Sequence, residues 1–368
     1  MLIYIFLILI IATLCFLSFL KKLNKKVVNI SYYILFIVIF LLSAMRNRGV
    51  GVDTNSYCNY YEKIDSYSSI FNTEFEVGFA ILVKTLHCFS KNSQLLIFVS
   101  SALTIFSMMY FIKTNSSNWL LSLLIFILYN CWFCYLNIMR QAIAISFILL
   151  GYNNLKKNKF KNDLYFLLVV LFACAFHKAA IIAILLPFIR KFKINKNRLI
   201  LTGLTGLLMF LIAGPLFKLL VILLPKYDVY SNSVYAQSNY FGVLLKLLLS
   251  SSILCFSFYY FSDNQFKFIK VSHVQNNYLI SNPELNLQFN CYNMYNLILY
   301  LSLSMVVFER LSFYFMIFAV VLIPNIFGRI RNKTKQQLIL VFSIFLIYFL
   351  SISIIRPNWD GCIPYKFF

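Results

Sequence analysis

LIYIFLILIIATLCFLSFL, residues 2–20, carries no charge and is followed at once by Lys21, Lys22, Lys25 and Lys26. About 20 apolar residues in helical conformation cover the roughly 30 Å of hydrocarbon in a bilayer. A basic cluster directly after such a run marks its cytoplasmic end. No basic residue precedes the run and no small-residue cleavage site closes it, so it reads as a signal anchor with its N-terminus outside. The rest of the chain repeats the pattern. Further apolar runs lie near residues 28–45, 93–112, 119–137, 141–155, 164–176, 178–189, 199–224, 241–261, 292–308, 311–327 and 337–355. They predict an all-α polytopic transmembrane helix bundle of roughly 10–12 spans with both termini outside. The expected organisation is a single integral membrane domain over residues 1–368.

Composition agrees with that reading. Of 368 residues, 61% are hydrophobic and 12% charged, with a mean hydropathy of +0.80. Soluble domains run at about 45–50% apolar and about 25% charged. Disorder, DNA-binding modules and disulfide-stapled secreted domains are thereby excluded. The net charge of +22 follows from basic residues that hold cytoplasmic loops in place, so no nucleic-acid partner is inferred. Cys131 and Cys134 have CxxC spacing but lie inside an apolar run without a second pair, so they read as packing residues. Three scattered histidines offer no metal constellation, and neither a metal nor a cofactor is expected.

Three basic clusters fix the orientation: Lys156 to Lys161, Arg190 to Arg198, and Arg329 to Lys335. All are cytoplasmic together only if Asp163 to Ile189 crosses twice, as two short helices turning near His177. Residues 75–90 must then dip in and return, or lie on the surface. This places outer loops near 46–74 and 225–240 and an inner loop near 262–291. Eight of the eleven acids then fall on the outer side: Asp53, Glu62, Asp65, Glu74, Glu76, Asp228, Glu309 and Asp360. Arg46, Arg48, Arg140, His177, Arg310 and Arg356 join them there.

Charged groups beside hydrocarbon are costly to keep and so point to function. The strongest such stretch is Arg46-Asn-Arg48-Gly-Val-Gly51-Val-Asp53-Thr-Asn-Ser-Tyr57. A guanidinium presents a planar fork of donors suited to phosphate oxygens, and flanking glycines let backbone N–H groups approach an anion. Arg140 interrupts an apolar stretch. It is either a snorkelling anchor or a guanidinium at a pocket floor. His177 lies between two half-length apolar runs. It is either structural or a base for a hydroxyl proton. Glu309 and Arg310 either neutralise each other or supply a carboxylate and a phosphate ligand. The loop Lys226 to Tyr240, with Tyr230 and Tyr235, suits sugar-ring stacking or an interfacial aromatic belt. The tail from Arg356 to Phe368 is either frayed or packed back over a site.

In this order along the chain, Arg46-x-x-Gly-x-Gly-x-Asp53-x-x-x-Tyr57, Glu76-Val-Gly78-Phe79, Arg140-x-x-x-Ala144, His177 in a short apolar hairpin, and Arg310 with Pro364-Tyr365-Lys-Phe-Phe resemble the EpsG/Wzy-type polysaccharide polymerases. The resemblance implies growth of O-antigen, capsule or exopolysaccharide from undecaprenyl-pyrophosphate-linked oligosaccharides at the outer face of the bacterial cytoplasmic membrane. It implies no nucleotide sugar and no metal, and a chain-length regulator protein as a candidate partner. Arg46, Arg48, Arg140 and Arg310 would grip pyrophosphate. His177, Asp53 or Glu309 would take the hydroxyl proton, and Tyr57, Tyr230 and Tyr235 would face the glycan. A flippase for the same lipid-linked oligosaccharide, or a polytopic O-acyltransferase, are the alternatives.

Overall fold

The computed structural model describes residues 2–64, 75–194, 196–223, 228, 240–261, 282–329, 335–355 and 361–368. Among these residues all regular structure is helical, apart from an isolated antiparallel bridge between Arg46 and Phe367. Two compact units emerge: Met1–Ile184 with Arg331–Phe368, and Leu185–Ile330.

The first unit opens with α1 (Leu2–Phe19) and α2 (Lys25–Ala44). The Asn24 side chain caps α2 by accepting the Val27 N–H at 2.8 Å. On α1, Tyr4, Leu7, Ile8, Ile11 and Cys15 are buried, while Leu2, Phe6 and Leu9 stand exposed. A helix that is apolar all round with one face uncovered belongs in lipid. Next come α3 (Thr54–Lys63), α4 (Val77–Phe89), α5 (Gln94–Asn115), α6 (Trp119–Leu128), α7 (Cys131–Asn137), α8 (Met139–Leu155) and α9 (Phe160–Cys174). Helix α5 packs between α2 and α8, and α8 against α9. Helices α6 and α7 bend by 58° where Asn130 adopts a left-handed conformation, φ 67°, and almost every side chain from Leu120 to Met139 is buried. The chain then turns at residues 175–177 into a 3₁₀ helix, Lys178–Leu185, which is the hairpin expected around His177.

The second unit is organised around one polar helix. It holds α10 (Leu186–Ile189), α11 (Lys196–Leu223), α12 (Tyr240–Phe261), α13 (Pro283–Ser304), α14 (Glu309–Met316) and α15 (Ala319–Arg329), and α13 touches all the others. Asn286, Asn290, Asn293 and Asn296 recur at helical spacing along α13. Asn290 Nδ2 donates to Ile189 O at 3.0 Å, Asn293 Nδ2 to Thr202 Oγ1 at 3.1 Å, and Asn296 Nδ2 to Ser250 Oγ at 2.7 Å. Interhelical amide bonds of this kind hold helices together where lipid supplies no hydrophobic drive. The chain returns to the first unit with α16 (Lys335–Ile355), packed on α6.

Six described helices are long and apolar enough to cross a bilayer, namely α1, α2, α5, α11, α12 and α16. Counting α6 with α7, and Val306–Met316 with α15, as bent spans gives up to eight. The hydropathy count of ten to twelve is larger because it includes short or polar helices. At about 1.5 Å per residue, the 15 residues of α9 reach about 22 Å, and α13 carries its row of amides. Helix α4, with 13 residues, extends only about 20 Å. Its first turn meets α3 through Phe79 and Tyr57, ring centroids 5.5 Å apart, and its last turn through His87 and Tyr61 at 5.2 Å. Both ends of α4 thus rest on α3.

Candidate active site

Arg46 follows α2 immediately and is 2% exposed. Its Nη1 donates to Ser101 Oγ at 3.0 Å and its Nη2 to Leu136 O at 3.1 Å. The loop behind it is fastened to the α7–α8 joint. The Thr54 hydroxyl also donates to Leu136 O at 3.1 Å, and the Asp53 N–H donates to Asn137 Oδ1 at 2.8 Å. Gly51 has φ +95°, and a Cβ there would stand 2.7 Å from Leu136 O. Only glycine fits both the left-handed backbone and the close approach.

The tail packs back on this loop, resolving its two readings. Asn47 N–H donates to Lys366 O at 2.9 Å, Phe368 N–H to Met45 O at 3.0 Å, and Gly51 N–H to Gly361 O at 3.0 Å. Tyr365 OH reaches Leu42 O at 2.8 Å and Tyr4 OH reaches Cys362 O at 2.9 Å. The Gly49 N–H donates to Asn47 Oδ1 at 2.9 Å. The two glycine N–H groups expected to face an anion are therefore spent on the protein itself.

Arg48 is partly exposed and lies along one face of α3. Its Nε donates to Asn55 Oδ1 at 2.8 Å, Asn59 accepts from Nη2, and Glu62 pairs with Nη1 at 2.9 Å. The Ser93 hydroxyl donates to Glu62 Oε1 at 2.8 Å. That bond, helped by Arg48, holds the Glu62 carboxyl below its usual range. The same cluster contains a group the sequence reading did not single out. His87, 4% exposed, directs Nδ1 to Tyr61 O at 2.7 Å and Nε2 to Lys91 Nζ at 2.8 Å. A carbonyl only accepts, so the proton sits on Nδ1 and Nε2 accepts from the ammonium.

Arg140 begins α8 and forms a shielded ion pair with Glu76, their side chains 17% and 12% exposed. The second carboxylate oxygen of Glu76 accepts the Lys178 N–H at 3.2 Å, one residue after His177. Gly78 N–H donates to Ala175 O at 2.8 Å, with the backbones so close that a Cβ on Gly78 would sit 2.7 Å from that oxygen. The hairpin bearing His177 is thus docked on the start of α4. Aromatic rings enclose the guanidinium, with Phe75 at 4.6 Å, Tyr57 at 5.5 Å and Phe79 at 6.0 Å from its central carbon. Such rings attract a cation through their faces. Glu76 is the hinge of the site, and its Glu-x-Gly-Phe stretch is the signal that marks it in the sequence.

The structure therefore gathers Arg46, Arg48, Asp53, Tyr57, Arg140 and His177 in the first unit. Lys113 and Asn153 lie elsewhere in that unit, near the start of α2 and the end of α8, where Lys113 Nζ meets Tyr33 and Asn153 Nδ2 donates to Thr114 Oγ1 at 3.1 Å. Glu309 and Arg310 belong to the second unit, where Glu309 forms an ion pair with Lys246 that is 8% and 7% exposed. Lys246, a lone charge inside the apolar run of α12, was the signal for it. Tyr230, Tyr235, Asp65, Glu74, Arg356 and Asp360 lie outside the described residues, as do most of the loops near 225–240 and 262–291. Among the described residues no group of three His, Cys, Asp or Glu side chains could hold a metal ion.

No curated protein and no solved structure matches the chain. The EpsG family model matches residues 29–367, nearly its whole length. That match spans the Arg46 loop with the tail strapped to it and the Glu76–Arg140 pair, and it carries a general polysaccharide-polymerase-like role: this multi-pass membrane protein belongs to the EpsG family.

Proposed function

We propose that the chain polymerises lipid-linked oligosaccharide repeat units into a surface polysaccharide at the outer face of a bacterial cytoplasmic membrane, with undecaprenyl pyrophosphate as the carrier. The observation that carries this reading is the Arg140–Glu76 pair docked beside His177. Its chemistry suits glycosyl transfer. A hydroxyl oxygen of the acceptor sugar forms a bond to the anomeric carbon of the donor glycan. The bond from that carbon to the pyrophosphate oxygen breaks, and the lipid pyrophosphate leaves with the electron pair. The hydroxyl proton passes to His177. Arg140 keeps donors beyond the one facing Glu76, and these offset the charge growing on the departing phosphate. Tyr57 is buried against the guanidinium, so the proposal gives it the role of holding Arg140 rather than of covering a sugar. Glu309 is engaged by Lys246 and Arg46 is buried, so the proposal gives the base role to His177 and a supporting role to Arg46.

Deleting the gene tests the reading. Carriers bearing single repeat units should accumulate at the outer face, visible as loss of the glycan ladder with accessible lipid-linked repeats. Repeat units held on the inner face would instead assign the protein to transport.

A further inference from the structure

Residues 361–368 lie across the paired ends of two helices long and apolar enough to span a bilayer. The Tyr4 hydroxyl, in the first turn of α1, donates to Cys362 O at 2.9 Å. The Tyr365 hydroxyl donates to Leu42 O, in the last turn of α2, at 2.8 Å. The two tyrosine rings themselves meet, 5.8 Å apart. With 18 and 20 residues, α1 and α2 each cover the hydrocarbon once. The end they share therefore lies where hydrocarbon gives way to headgroups, and so does the strap of residues bonded to it.

The strap carries apolar surface at that level. Phe367 is 60% and Phe368 68% exposed, although Phe367 also rests on the Tyr365 ring, centroids 4.9 Å apart. This surface is not isolated. Ile34, Ile37, Leu41 and Met45 are exposed at spacings of three and four residues, which is one helical face of α2. On a membrane-spanning helix such a face is covered by lipid. Met45 ends the row, and its carbonyl accepts the Phe368 N–H at 3.0 Å. Lys366, between the aromatic residues of the strap, is exposed as well. Aromatic rings beside a basic side chain suit the bilayer interface, the rings entering the acyl boundary while the ammonium reaches the phosphates. A docking patch for a protein would stand apart from the lipid-covered row, whereas this one continues it.

We propose that residues 366–368 are an interfacial membrane anchor, with Phe367 and Phe368 seated in the acyl boundary and Lys366 at lipid phosphates. The anchor holds more than itself. Asn47 N–H donates to Lys366 O and Gly51 N–H to Gly361 O, so the loop after α2 is fastened to the bilayer through the strap. The inference needs only that α1 and α2 cross the membrane, and it stands whether or not the sugar-transfer chemistry does.

Full-length protein in phospholipid nanodiscs provides the test. A benzophenone-bearing phenylalanine in place of Phe368 should, on irradiation, give phospholipid adducts in a yield comparable to the same group in place of Ile37, in the middle of α2. Phe368→Asp should speed hydrogen exchange in the peptides covering 45–51 and 361–368 by about tenfold, the loss of one ring from the interface. Phe368→Trp, which keeps an interfacial ring, should leave exchange at the wild-type rate. Phospholipid adducts at position 37 but not at 368 overturn the proposal, as do adducts at 368 to another polypeptide in place of lipid. Wild-type exchange in Phe368→Asp overturns it too, because a ring facing water anchors nothing.

Discussion

Two shielded ion pairs, one in each unit, behave as different devices. Arg140 and Glu76 are 17% and 12% exposed, ringed by Phe75, Tyr57 and Phe79, and tied through Glu76 to the hairpin bearing His177. Lys246 and Glu309 are 7% and 8% exposed, between α12 and the start of α14, and lie in the unit organised by the amide row of α13. The first pair leaves an edge from which a ligand can be met, and its carboxylate also positions a second chemical group. The second is more deeply buried. A charge pair in a membrane protein is thus informative by what its spare atoms touch, more than by its burial.

The largest expected effect separates the two directly. Arg140→Ala should abolish chain growth, a loss on the order of 10²–10³ in rate, with the protein still present in the membrane. Glu76→Gln should reproduce most of that loss by releasing the guanidinium and the Lys178 N–H together. The glycan ladder and the amount of membrane protein, measured side by side, check this. Near-normal ladders in both variants would erase the distinction between the pairs.

Next in size is Lys246→Met, which strands the Glu309 carboxylate. The expected cost is about 3–5 kcal/mol of stability, and adding Glu309→Leu should restore most of it, because two apolar groups replace a buried pair. Thermal melting of the single and double variants in detergent reads this out. A double variant that melts like wild type but makes no polymer would move Glu309 back into the chemistry.

The smallest effect concerns an exposed pair of the first unit, Arg48 with Glu62. Glu62 has its carboxyl pKa lowered on folding by Ser93 and Arg48. The stability it contributes is complete above the unfolded value near 4.5 and is lost as pH falls through the lower folded value. Half-exposed pairs are screened, so the change is modest. Melting curves of wild type and Glu62→Gln should diverge above that window and converge below it; parallel curves would remove Glu62 from the network.

Much of this was legible beforehand because a charge in an apolar run is conspicuous. Arg46, Arg140 and His177 stand out that way; the structure buries Arg46 against Ser101 and Leu136 and pairs Arg140 with Glu76, which also holds the Lys178 N–H beside His177. Two kinds of residue escaped. Glu76 was marked by its Glu-x-Gly-Phe stretch, but its role escaped, because it rests on contacts 64 positions away with Arg140 and 102 positions away with Lys178. The asparagines of α13 look like compositional noise in a chain rich in Asn. Their recurrence at 286, 290, 293 and 296 is nonetheless one helical face, and reading that period would have found it. Lys246 fell between the two, a visible charge whose partner could only be located in three dimensions. The glycines near Arg46 misled for a related reason. Gly51 serves close packing, and its N–H already has an acceptor in Gly361.

The strap of residues 361–368 has a consequence in time. Tyr4 bonds to Cys362 across a separation of 358 residues, and the Arg46 loop bonds to Lys366 and Phe368. Those partners meet only after everything between them has been threaded into the bilayer. Until then the early loop lacks its latch, so a nascent protein stalled midway would hold the Arg46 loop unfastened.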